Sequence, residues 1–176
     1  MSAHPPIGAD AVVPPRGTRL ASRVRLARLR AIARGALEAG RDVRVARGAR
    51  VRVRGGRVRL GDGCLLGPGC RIEAPGGTVE VGDGARIGER SVIIAHSQVT
   101  LGAGAVVGAW AVLSDVEPSV DDAEVPVRLQ PLRARPIAVG EGATIGAHAA
   151  LGAGARVAPG TAVGSYAVVP TPPRSA

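Results

Sequence analysis

The sequence predicts an all-β fold, a coil of short strands stacked in parallel, and three observations carry that prediction. Aliphatic residues recur every six positions: at 60, 66 and 72, at 81, 87 and 93, at 101, 107 and 113, and unbroken at 139, 145, 151, 157, 163 and 169. Four places after many of them stands a small residue: Cys64, Cys70, Ala85, Ser91, Ala105, Ala111, Ala143, Ala149 and Ala155. The chain is 45 % hydrophobic yet holds one Trp, one Tyr and no Phe, so its interior must be built from branched aliphatics rather than aromatic bulk.

A period of six is neither that of a helix nor the two-residue alternation of a single strand. It fits a short strand and a turn, with one large and one small side chain pointing inward each time. Four blocks align without gaps: RVRLGDGCLLGPGCRI (57–72), TVEVGDGARIGERSVI (78–93), QVTLGAGAVVGAWAVL (98–113) and PIAVGEGATIGAHAAL (136–151). The Gly after most aliphatics helps the backbone turn. Three units of six close one triangular coil, and successive coils stack at about 4.8 Å, the ordinary strand spacing. The interval from 101 to 139 is one coil plus an insertion of about twenty residues.

The elements follow in order. Residues 1–17 form a flexible, Pro-rich arm, and 18–40 a basic helix ending near Gly40, with Leu26, Leu29, Ile32, Ala33 and Leu37 on one side. Residues 41–170 form the coil, with an inserted loop at 115–136, and 171–176 a tail. Of the net charge of +9, residues 1–60 carry +12, from fifteen Arg against Asp10, Glu38 and Asp42; the remainder carries −3. The basic helix reads either as a cap over the open end of the coil or as a basic surface for anionic lipid or a polyanionic substrate. Nucleic acid fits poorly, because no aromatic residues accompany the arginines. Cys64 and Cys70 occupy small-residue positions of the repeat and read as buried thiols, not as a disulfide or a metal pair. No secretory signal and no run of about twenty apolar residues is visible, so the expected location is the cytoplasm, with membrane contact through the arginine-rich helix.

The repeat over roughly residues 43–170 resembles that of the hexapeptide-repeat acyltransferases. That resemblance implies a left-handed parallel β-helix, a homotrimer with sites in clefts between subunits, and acetyl-CoA or another acyl-CoA as co-substrate, without a metal. The stretch LSDVEPSVDDAEVPVRLQP (113–131) resembles the loop motif D-H-x-H-x-x-x-D-x-x-x-P-I-x-x-Q of the sugar and polysaccharide O-acetyltransferase branch. Asp115 matches the leading Asp, Asp121 or Asp122 the later acid, and Pro126 to Gln130 the P-I-x-x-Q element. The two His positions fall on Val116 and Pro118, so proline stands where the catalytic base is expected. What the resemblance implies is O-acyl transfer to a sugar, polysaccharide precursor or glycolipid hydroxyl, with its usual base replaced.

His96 lies three residues after Ile93, as Val116 lies three after Leu113, so both occupy one corner on successive coils. His96 is therefore the candidate replacement base, oriented by Glu117 or Asp115. Candidate acceptor-binding residues are Trp110, Asp122, Arg128 and Gln130. Candidate cofactor-binding residues are Thr144 and Ala147, in a segment resembling V-W-I-G-[SA]-H with Thr144 in place of Trp, then Ser165, and Thr171 in place of a basic residue. Trp110 and His148 share a different corner from His96 and read as a subunit contact, with acceptor stacking the other role for Trp110. The alternative function is a catalytically inactive trimeric scaffold or ligand-binding protein, which the loss of the His, the Trp and the basic residue favours. A zinc hydratase of the same fold is excluded, because no His pair has the required spacing.

Overall fold

The computed structural model describes residues 19–119, 124–126 and 129–169. It is a left-handed parallel β-helix of about six turns preceded by one short helix. Each turn gives one strand to each of three six-stranded parallel sheets, so the body is a three-sided prism. The first face begins at Leu37–Ala39 and ends at Arg156–Val157, the second runs from Arg44–Val45 to Ala162–Val163, and the third from Arg50–Arg54 to Val168–Val169.

The six-residue period appears as columns of like residues. Leu60, Val81, Leu101, Val139 and Val157 pair in register along the first face. Leu66, Ile87, Val107, Ile145 and Val163 do so on the second. Ile72, Ile93, Leu113, Leu151 and Val169 do so on the third. Most of these side chains are fully buried, and the small residues Cys64, Cys70, Ala85, Ser91, Ala105 and Ala111 fill the corners between them. Ser91 is the polar exception, and its hydroxyl donates to the Gly88 carbonyl at 2.8 Å. The coils approach so closely at the turns that a methyl group at Gly102 would overlap the Glu141 amide on the next coil.

The helix is shorter than the sequence suggests. It spans Arg19–Ile32 rather than 18–40. Arg34 and Gly35 follow in left-handed conformation, at φ 48° and 87°, a common way for a helix to stop. Leu37–Ala39 then pairs in parallel with Arg57–Leu60, so the β-helix begins at Leu37 and not at residue 41. Pairing with the next coil buries Leu37 at 5 % exposure and overrides local helix preference.

Its position makes the helix a cap. Leu26, Leu29 and Ala33 join the core of the first turn. Ser22 Oγ accepts the Val45 amide at 2.8 Å, Arg25 Nη1 donates to the Val45 carbonyl at 3.0 Å, and Arg30 Nη2 donates to the Ala39 carbonyl. These bonds satisfy strand-edge groups that a first coil otherwise leaves open. No described helix is long and apolar enough to cross a membrane.

Within the insertion, Val116–Pro118 pairs antiparallel with Leu132–Ala134, so the loop leaves the prism as a hairpin before the fifth turn resumes at Ile137.

Both cysteines are free and buried. Burial pushes Cys64 up from 9.0 to about 11 and Cys70 to about 12. Both thiols therefore hold their protons more tightly in the folded state. That contribution to stability is intact below pH 9.0 and declines as pH rises through 11 and 12. A thiol reagent at pH 8 is expected to leave both cysteines unmodified until denaturant is added; rapid labelling of the native protein would contradict this burial. Gly102→Ala is expected to lower stability by roughly 1–3 kcal/mol in chemical denaturation, because two backbones must separate.

Candidate active site

The insertion is anchored by a carboxylate. Asp115 is fully buried, and its two oxygens accept the amides of His96 at 2.8 Å and Ser97 at 2.7 Å on the preceding coil. Its carbonyl accepts the Arg135 amide at 2.8 Å, from the residue just past the returning hairpin strand. One side chain thus holds the turn carrying His96 to the root of the hairpin. Charge-assisted bonds of this kind contribute about 1.5–3 kcal/mol each, and a buried carboxylate without them is costly.

The geometry places His96 and Val116 together, on the corner between the third and first faces, as the repeat count implies. His96 is half-buried. The two carboxylates expected to orient its ring are engaged elsewhere. Asp115 holds backbone amides, and Glu117 Oε1 accepts from Arg135 Nη2 at 2.7 Å. Pro118 sits exposed on the outgoing hairpin strand. Gln130 Nε2 donates to the Val125 carbonyl at 2.8 Å and so closes the loop on itself. Asp121, Asp122, Arg128 and Thr171 lie outside the described residues.

The other candidates gather elsewhere. Thr144 is half-buried on the second face, and Ala147 and Ser165 stand on successive rungs of the corner between the second and third faces. One prism edge, on the order of 15–20 Å, separates that corner from His96. Among the described residues of one chain, the candidate base therefore does not meet Thr144, Ala147 or Ser165.

At this second corner the structure builds a feature that the sequence reading caught only in part. Arg90, Trp110, His148 and Tyr166 occupy equivalent turn positions on four successive coils, each with left-handed backbone at φ 52°, 62°, 58° and 62°. Arg90 Cζ lies 4.9 Å from the Trp110 ring centroid. Trp110 and His148 stack at 6.0 Å and 4° between planes, and His148 and Tyr166 at 4.8 Å and 1°. The coil spacing forces equivalent planar side chains into parallel stacks. Each stacked pair contributes about 0.5–1.5 kcal/mol, against about 1–2 kcal/mol for each left-handed backbone. The signal for Arg90 and Tyr166 was present: each lies three residues after an aliphatic, at Ile87 and Val163, as Trp110 and His148 do.

Residues 57–88 and 78–114 match the family model described as the hexapeptide repeat of succinyl-transferase. No curated protein matches the chain. Among solved structures, a serine-to-alanine variant of AntD, an N-acyltransferase from Bacillus cereus, superposes with a TM-score of 0.63 at 14 % identity, over 76 % of this chain and 73 % of that one. A serine-to-cysteine variant of AntD gives 0.65 at 12 % identity, over 84 % and 77 %. Both were solved with dTDP-4-amino-4,6-dideoxyglucose and coenzyme A. At this identity the likeness establishes the fold.

Asp115→Ala is expected to destabilise the protein by roughly 2–4 kcal/mol and to speed hydrogen exchange at the His96 and Ser97 amides. Unchanged exchange there would remove the clamp. His148→Ala should change the fluorescence of Trp110, the single Trp of the chain, while moving stability by no more than about 3 kcal/mol, since it removes both stacked pairs.

Proposed function

We propose that the protein transfers an acyl group from coenzyme A to a sugar-borne acceptor. The observation that carries this reading is the hairpin inserted after the fourth turn, clamped by Asp115 to the turn that bears His96. The coenzyme A and sugar nucleotide in the AntD structures support the same donor and acceptor classes. In the finer reading the acyl group is acetyl and the acceptor a hydroxyl of a sugar, polysaccharide precursor or glycolipid; AntD, an N-acyltransferase, makes an amine acceptor equally worth testing.

In the transfer, the acceptor oxygen or nitrogen attacks the thioester carbonyl, His96 takes the acceptor's proton, and the carbonyl carbon releases the coenzyme A thiolate. Because His96 and the Thr144–Ser165 region lie on different corners, the site is completed by a neighbouring subunit of a trimer; Trp110, on the corner of Ala147 and Ser165, and Gln130 of the insertion are its acceptor-binding candidates, with Asp122 and Arg128, outside the described residues, the further ones. Thr144, Ala147 and Ser165 then face the cofactor, and Thr171, outside the described residues, is the further cofactor-binding candidate.

A non-catalytic trimeric scaffold is the second reading. Pro118 at the expected base position, with the Asp115 carboxylate bound to backbone amides and Glu117 to Arg135, favours it. Calorimetric titration with acetyl-CoA and with free coenzyme A separates the two. The enzyme reading expects saturable binding at one site per subunit, and turnover on a panel of sugar hydroxyls and amines that His96→Ala abolishes while the oligomer stays intact. Absence of binding at millimolar ligand points to the scaffold. Turnover retained in His96→Ala leaves the transfer reading standing and removes His96 as its base.

A further inference from the structure

Capping engages only some of the helix arginines. Arg25 and Arg30 bond carbonyls of the first turn. Arg19 and Arg23, one helical turn apart, line a groove of about 1160 Å³ together with Arg44 and Arg86 of the second face, with the capping Arg30 also on its wall. Arg44, Leu65 and Arg86 are in register on three successive strands. The two arginines therefore rise from one outward row about 10 Å apart, with Leu65 as the floor between them. Among the described residues, none of these four arginines is ion-paired. Arg41, also on the rim, is paired with Asp62 at 3.1 Å, and among the described residues the one acid lining the groove is Asp42.

A concave wall that keeps several guanidinium groups without counter-charges favours a multivalent anion. The planar fork of arginine matches phosphate oxygens two at a time. Among the described residues the lining holds no aromatic side chain to stack on a base. Leu20 on the rim and Val24 beside it are exposed apolar side chains of the same helix, at 71 % and 46 %. We propose that this groove is a binding site for clustered phosphate groups, as carried by a diphosphate or by an anionic lipid headgroup. The proposal is independent of acyl transfer, since neither His96 nor Thr144 lines the groove.

The test uses the full chain and two probes: inorganic pyrophosphate by calorimetry, and sedimentation with phosphatidylcholine vesicles with and without phosphatidylglycerol. The variants are Arg23→Ala/Arg86→Ala, Arg44→Ala alone, and Arg50→Ala/Arg156→Ala as a control that removes two charges outside the groove. None of the altered groove arginines makes a capping bond, so thermal midpoints should stay close to that of the parent. Pyrophosphate binding is expected to weaken about tenfold or more in the groove double variant, by an intermediate factor in Arg44→Ala, and little in the control. Binding to anionic vesicles alone, with the same dependence on Arg23 and Arg86, would identify the source as a headgroup. Binding to neither probe, or equal weakening in the control, would overturn the site.

Discussion

Each coil is joined to the next by backbone hydrogen bonds repeated at every face, as from the Gly61 amide to the Val81 carbonyl at 2.7 Å, Gly82 to Leu101 at 2.8 Å and Gly102 to Val139 at 2.8 Å. These bonds bring equivalent positions of neighbouring coils within one strand spacing of each other. A side chain that fits the interior on one coil must therefore fit above and below itself. The recurrence of Leu, Ile and Val at one angular position and of Cys, Ser and Ala at another follows from that constraint, as does the intolerance of a methyl group at Gly102.

The same constraint acts outside the prism. Residues that share an angular position become columns whether or not they are buried. Four planar side chains at one corner form a stack, and Arg44 and Arg86 form a row on the second face. Asp115 exploits the spacing differently: one carboxylate reaches two amides on the preceding coil because those amides pass directly beneath it. A residue that looks like part of a loop motif is, in its contacts, the pin that fixes the loop.

The first coil has no neighbour on its outer side. The helix supplies one, through Leu26 and Leu29 for the apolar interior and through Ser22, Arg25 and Arg30 for the strand edge. Arginine suits this place because its stem covers apolar surface while its fork reaches a carbonyl. The arginines left over at the groove give the helix a chemistry that capping alone does not require.

The hydrophobic period, the number of repeats that close each coil, the place of the insertion and the shared corner of His96 and Val116 were legible in the sequence by itself, because each depends on spacing along the chain. Thr18 to Gly40 shows the limit. Its apolar spacing suits a helix throughout, but Leu37 pairs with Val58, a partner twenty-one residues away. Only the tertiary structure decided that the Asp115 carboxylate faces amides rather than an imidazole, that Glu117 meets Arg135, and that Arg90 and Tyr166 complete the ladder. Only it set Arg19 and Arg23 against Arg44 and Arg86. Those outcomes depend on which atoms meet across coils and between helix and coil, and periodicity specifies angular position without specifying partners.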